Sequence, residues 1–393
     1  MSTTPGTAHT DYDVIVVGAR AAGAPTAMLL ARAGLRVLVL ERAAAGTDTL
    51  STHALMRGAV VQLARWGLLP DIVAAGTPAV RTTVYTYAGA RRVIAIKPAH
   101  GVDALYAPRR TVLDPILVAA AREAGAEVRH GSTVAGLLRD GERVTGVVAR
   151  DERGSRELRA RLVVGADGIR SLVAREAGAQ VRRLARFHTA VSYGYWREVP
   201  TEGYEWTFQP DACTGAIPTN DGVCVFAAGR PEQIGRGGLA TIRRVVAFAD
   251  PELAERLERG EAPSGTRGWT GTPGFLRQAH GPGWALVGDA GYFRDPIVAH
   301  GLTDALRDAE LLARGVIDGL GSSSSDALAD ALTDYEATRD RLSLPLFETT
   351  DRLASHEWDD VEIDGLVRRI SSATAAEVDL LAGLDRPVLE VVR

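Results

Sequence analysis

The sequence predicts an α/β fold: one discontinuous domain built on a parallel sheet, interrupted twice by β-rich insertions and finished by helices. Three observations predict it. Asp13 to Arg42 reads as strand, turn, helix and strand. Two later segments, "RLVVGADG" and "WALVGDA", again run from an apolar strand into a tight turn. Between them the pattern changes to short strands bearing aromatic residues. The boundaries expected are 1–75, 102–180 and 276–393 for the discontinuous domain with its C-terminal helices, and 76–101 and 181–275 for the inserted sheet.

The elements follow in order. In "DVIVVGARAAGAPTAMLLARAGLRVLVLER", Val14 to Val17 form a continuous apolar run, as a strand buried on both faces requires. A helix of small residues follows, then Arg36 to Leu40 as the second strand, which completes a βαβ unit. "STHALMRGAVVQLARWGLL" reads as a helix, and "VRTTVYTYAGARRVIAIKPA" alternates as antiparallel strands do. "PRRTVLDPILVAAAREAGAEVRHG" gives a helix and a strand returning to the first sheet. "RVTGVVARDERGSRELRARLVVGADG" gives a hairpin and then a buried strand. From Arg182 to Arg230 short aromatic-bearing strands dominate. Strand, glycine turn and helix return from Trp284, and the chain ends in helices with one polar break, "GSSSSDA".

Composition narrows the function classes. A chain of 393 residues, 46% hydrophobic, can bury a large core. Its net charge of −4 leaves no basic footprint for nucleic acid. Cys213 and Cys224 are too few for a disulfide framework or a zinc centre and read as small core residues, so no metal is expected. The polar start "MSTTPGTAHTDYD" has no signal-like core, and no run nears the roughly 20 apolar residues of a membrane helix. A cytoplasmic protein without an integral membrane segment is the expectation; the oligomeric state is not encoded legibly. Lys97 is the only lysine.

Three motifs carry chemistry. "GARAAG" (Gly18, Ala19, Arg20, Ala22 and Gly23) aims backbone N–H groups at a helix start, where a pyrophosphate binds. Glu41, beside Arg42 at the end of the second strand, lies where an acidic residue accepts from a ribose hydroxyl. Arg20 replaces the middle glycine of the usual fingerprint, so its side chain must point away or fold over the cofactor. The second motif is "VVGADGIRS", with Asp167 and Gly168. The third is "LVGDAGYFRDPIVAHGLTDAL", with Gly288, Asp289, Pro296 and the turn His300–Gly301–Leu302–Thr303 opening a helix.

In this order the motifs resemble the FAD monooxygenases of the para-hydroxybenzoate hydroxylase-like group, over Asp13 to about Ala313. The resemblance implies a Rossmann-like FAD-binding domain. Asp289 would accept from the ribityl chain, Pro296 would flank the isoalloxazine, and the 300–303 turn would face its N1–C2=O edge. Asp167 and Gly168 would sit near the same cofactor. Arg109 or Arg110, before a helix with Leu113 and Leu117 four apart, would contact FAD. NAD(P)H would visit transiently, and a flavin hydroperoxide formed from O2 would hydroxylate an aromatic or lipophilic small molecule. Tyr292 stands where the group usually has a histidine.

His53 is the candidate catalytic residue, with a buried structural histidine as the alternative; Arg57 is either a cofactor contact or the polar face of its helix. Tyr193, Tyr195, Trp196, Tyr204, Trp206 and Phe208 line a pocket or simply fill a sheet core. Three other readings compete: a geranylgeranyl reductase-like enzyme, a flavin-dependent halogenase, which would need Lys97 in its site, and a non-catalytic flavin-binding protein.

Overall fold

A computed structural model describes residues 11–384. Five parallel strands build the first sheet, centred on Tyr12–Val17, which pairs with Val37–Glu41 on one side and Gly154–Gly165 on the other. Glu127–His130 extends one end and Trp284–Leu286 the other, both parallel to their neighbours. Successive residues of the central strand face opposite layers, and both layers are dry. Val14 and Val16 pack with Val37 and Val39 under helices Gly23–Arg32 and Gly301–Gly321. Ile15 and Val17 pack with Leu38, Leu40, Val144 and Val147 under an antiparallel meander. Each fully buried aliphatic side chain stabilises the fold by roughly 1.5–3 kcal/mol, which is why the strand needs an unbroken apolar run.

The meander comprises Thr133–Asp140, Arg143–Asp151 and Gly154–Gly165. Its last strand has 12 residues. Hairpin arm and buried strand are thus one continuous element, exposed at Gly154–Glu157 and buried from Leu162.

A second sheet has seven strands, in the order Thr266–Trp269, Ala190–Trp196, Gly222–Gly229, Ala212–Thr219, Tyr204–Gln209, Thr82–Tyr87, Ala90–Ala95. The two chain segments meet at the parallel pair Tyr204–Gln209 and Thr82–Tyr87. One face of this sheet joins the core of the first domain through Tyr193, Trp206, Phe208 and Phe226. The other face, with Trp196, Val223 and Val225, is covered by helices Leu239–Ala249 and Pro251–Arg259.

Those two helices correct the expectation of a purely β-rich 181–275 segment. The sheet's second apolar face cannot stay in water, and the helices seal it. The second one carries its own signals: Asp250 accepts from the N–H of Leu253, and Pro251 follows it at the first helical position. The helix expected from Ser51 instead starts at Arg57, because His53 holds a left-handed φ of 70° that no helix tolerates. The second strand runs Val37–Glu41 rather than 36–40.

Helices Gly301–Gly321, Ala327–Ala354 and Asp360–Gly383 close the chain. Among the described residues no helix is long and apolar enough to cross a membrane.

Candidate cofactor and active site

Three turns leave adjacent ends of the parallel sheet. Val17 pairs with Gly165, and Gly165 with Leu286, so "GARAAG", "ADG" and "GDA" emerge side by side. They touch through their glycines. A Cβ on Gly23 would lie 1.8 Å from the Gly18 carbonyl oxygen, and one on Gly18 2.4 Å from the Ala166 carbonyl oxygen. A Cβ on Gly288 would lie 2.8 Å from the Ala22 methyl. Gly18 also has a φ of 105°. Three widely separated motifs therefore form one backbone surface that only missing side chains permit.

The helix Gly23–Arg32 starts on this surface without a side-chain cap, and so does Gly301–Gly321. Ser171, Asp250, Asp295 and Asp359 cap their helices, whereas Arg57–Arg65, Arg110–Glu123 and Ala327–Ala354 also start uncapped, so the glycine cradle is what distinguishes these two starts. Uncapped N-terminal N–H groups beside a glycine cradle suit an anionic ligand.

Glu41 is buried at the end of its strand. It accepts from the N–H of Ala19 at 2.9 Å and from that of Ala43 at 2.9 Å. A cleft of about 120 Å³ opens beside it, lined by Ala19, Arg20, Thr47, Asp114 and His130. Arg20 lines this cleft, with its guanidinium 3.6 Å from Asp114 and 3.3 Å from the Thr47 hydroxyl. Arg42 is exposed beyond the strand end.

Asp289 follows the strand Trp284–Leu286 in a single 3-10 turn. Burial, and then the charge of Asp304, push its carboxyl up to about 7. Among the described residues it has no hydrogen-bond partner, although its side chain is only partly exposed. A half-buried carboxylate with no protein partner is open to a hydrogen-bonding ligand. The glycine cradle, the cleft by Glu41, two free helix starts and this unmatched carboxylate fit a dinucleotide carrying a polyhydroxyl chain. Ala19 and Glu41 would hold the adenosine end, Asp289 the ribityl chain and residues 300–303 the ring.

The remaining expected residues are placed as follows. Asp167 accepts from the Ser171 hydroxyl at 2.5 Å and from the Leu172 N–H at 2.6 Å, fixing the "ADG" turn and the next helix. Gly168 takes a φ of 77° there. Arg110 forms a two-pronged pair with Asp114 at 2.8 and 2.9 Å. Arg109 turns away from the cradle towards the second sheet. It stacks 3.8 Å from the Tyr195 ring centroid and pairs with Asp48 at 2.9 Å and Asp221 at 2.8 Å. Arg57 donates to the carbonyl of Lys97 at 2.7 Å. Lys97 itself is exposed, past the edge strand Ala90–Ala95.

The turn ahead of the long helix is anchored by residues that sequence reasoning missed. Asp295 accepts from both the N–H and the hydroxyl of Thr189, at 2.6 and 2.7 Å, and from the Ile297 N–H at 2.9 Å. It ties Pro296–Val298 to the start of the strand Ala190–Trp196. An aspartate directly before a proline is the turn signal that could have flagged it. The Met56 N–H donates to the Thr303 hydroxyl at 3.3 Å.

His53 sits where the two sheets face each other. It is buried, and its Nε2 lies 2.6 Å from the Tyr195 hydroxyl. Its Nδ1 is buried without a partner. Burial, and then Arg109 and Arg110, lower its pKa to about 3. Beside it, Tyr193, Phe226, Gly215 and Trp206 form one cross-strand row. Gly215 leaves room for the Phe226 ring. Trp206 Nε1 is a second buried donor without a partner. Cys213 and Cys224 are buried in the same sheet as free thiols, as expected.

His300, Asp304 and Glu377 bring three ligand atoms within 4.8 Å of one another. Arg307 lies 3.0 Å from Asp304 and 3.6 Å from Glu377, so a guanidinium already supplies the positive charge a metal would bring.

The FAD binding domain family model matches residues 11–344. The chain is 29% identical over 336 residues to digeranylgeranylglycerophospholipid reductase 1 of Methanopyrus kandleri, covering 83% of this chain and 85% of that one. It is 30% identical over 318 residues to reductase 2 of the same organism, covering 75% and 74%. A solved structure of a probable FAD-dependent monooxygenase from Pseudomonas aeruginosa superposes with a TM-score of 0.75 at 22% identity, covering 93% of this chain and 99% of that one.

Proposed function

Because the chain belongs to the FAD-binding domain family and is an FAD-dependent oxidoreductase, we propose that it is a monooxygenase inserting one oxygen atom from O2 into an aromatic or lipophilic small molecule, with NAD(P)H as a transient reductant. The bound flavin would supply reduction of O2 and transfer of one oxygen atom. The protein's share is binding, orientation, exclusion of water and proton handling.

One observation carries this reading: the aromatic row Trp206–Phe226–Tyr193 ends at the His53–Tyr195 pair, on the sheet face turned to the cofactor domain. An aromatic row binds a flat apolar ligand by area and stacking. The unpartnered His53 Nδ1 and Trp206 Nε1 would meet its polar groups. His53 is also close to the flavin turn: Met56, three residues on, donates to Thr303, so the chain between them spans no more than about 11 Å. Tyr195 would hold or return a proton at Nε2 of His53, while Nδ1 of the same ring would face the substrate.

A second reading, reduction of an alkene, is favoured by the sequence likeness to the two digeranylgeranylglycerophospholipid reductases. The aromatic row would accept an isoprenoid chain equally well. The halogenase reading lacks its lysine, since Lys97 is exposed at the far sheet edge.

The deciding experiment is a screen of phenolic, polycyclic aromatic and isoprenoid compounds against the FAD-loaded protein. A monooxygenase consumes NAD(P)H and O2 together in the presence of substrate, and the product gains one oxygen. Product formation only without O2, with a gain of two hydrogens, would overturn that reading in favour of the reductase.

A further inference from the structure

The helix Asp360–Gly383 lies outside residues 11–344, the stretch that the family model covers. Its Glu377 nevertheless reaches the turn that opens the helix Gly301–Gly321. Glu377 Oε2 is 3.3 Å from His300 Nε2 and 3.6 Å from Arg307 Nη1. The side chain is 2% exposed, and its Oε1 is buried without a partner. Gly58 makes the space: a Cβ there would lie 3.1 Å from Thr303 Cγ2 and 3.4 Å from Glu377 Oε1. Three elements distant in sequence thus converge on the His300–Thr303 turn.

The chemistry of this contact is specific. A carboxylate only accepts, so the hydrogen on His300 must be at Nε2, which fixes the ring's tautomer and plane. The other charges of the cluster are matched locally. Arg294 pairs with Asp304 at 2.7 Å, and Arg307 with Asp304 at 3.0 Å and Asp308 at 2.7 Å. Glu377 is therefore the acid whose partners include the turn itself. Burial alone would raise its carboxyl, but the charges of Arg307 and His300 outweigh that and hold it below the usual carboxylate range.

We propose that Glu377 is a positioning residue for the flavin: through His300 it fixes the 300–303 turn, and its buried negative charge lowers the reduction potential of a ring docked there. The physical basis is the anionic character of reduced flavin at its N1–C2=O edge. The helix start stabilises that charge, and a carboxylate behind the turn opposes it. The C-terminal helix then belongs to the cofactor site, although it lies outside the residues that the family model matches. This inference rests on the FAD-site reading above.

The test uses the full-length protein and begins by titrating FAD into wild-type apoprotein; failure to bind would sink the cofactor-site reading itself. In Glu377→Gln the shape and an acceptor oxygen remain and the charge goes. FAD affinity should stay near the wild-type value while the flavin midpoint potential rises. In Glu377→Leu the acceptor goes too, and FAD affinity should fall on the order of tenfold. If Glu377→Leu does not fold, the potential of Glu377→Gln decides alone. Wild-type protein that binds FAD, with an unchanged potential in Glu377→Gln, overturns the proposal.

Discussion

Nε2 of His53 lies 2.6 Å from the phenolic oxygen of Tyr195, across the junction between the cofactor domain and the second sheet. Burial and two nearby arginines keep His53 neutral, with its pKa lowered to about 3, and burial also raises the phenol of Tyr195. A neutral ring pairs with the phenol in one tautomer as follows. The phenol donates to Nε2, and the ring hydrogen sits on Nδ1, where no protein acceptor meets it. His53 is held there in a left-handed backbone conformation, a form of strain that concentrates at functional sites.

Tyr195→Phe removes the proton from this pair while keeping the ring under Arg109. Turnover should fall roughly 100-fold, the low end of what a positioned acid or base contributes. Flavin occupancy should be unchanged. Loss of flavin along with turnover would make the pair structural rather than catalytic.

Gly23→Ala places a methyl group 1.8 Å from the Gly18 carbonyl oxygen. Backbone must move, at a cost on the order of 3 kcal/mol. The variant should lose FAD and unfold at lower urea concentration as apoprotein. Native stability with native FAD binding would show that the GARAAG turn is not closed as tightly as described.

Glu41→Ala removes the acceptor of the Ala19 and Ala43 N–H groups as well as the expected ribose contact. FAD binding should weaken by about 1.5–3 kcal/mol, or roughly 10- to 100-fold. Fluorimetric titration of apoprotein measures it. An unchanged dissociation constant would place the adenosine elsewhere.

Asp289 supplies a pH signature. Burial pushes its folded carboxyl up to about 7 from the usual 3.8, so between those values the folded state keeps a proton that the unfolded chain releases. Stability from this group is full below about pH 4 and declines as pH rises to about 7. The thermal midpoint of wild-type apoprotein should therefore fall, relative to that of Asp289→Asn, across that window. FAD occupancy should drop in Asp289→Ala and be partly kept in Asp289→Asn. Parallel pH curves for wild type and Asp289→Asn, with full occupancy in Asp289→Ala, would remove Asp289 from the site.

Sequence by itself determined the parallel sheet, its three terminal turns and the switch to a second, aromatic sheet. These are local matters. An unbroken apolar run makes a doubly buried strand, and a glycine after it makes a turn whatever lies far away. Tertiary structure alone decided what the glycines face. Gly18, Gly23 and Gly288 are spaced by contacts with Ala166, with Gly18 itself and with Ala22, two of which join turns far apart in the chain. It also decided the direction of Arg109, because a guanidinium leaving water goes to the partners that best offset its desolvation, here the ring of Tyr195 and the carboxylate of Asp48. The partners Tyr195, Asp295 and Glu377 could not be read in advance. Each acts on a residue at least 77 positions away, across a gap that only the folded chain closes.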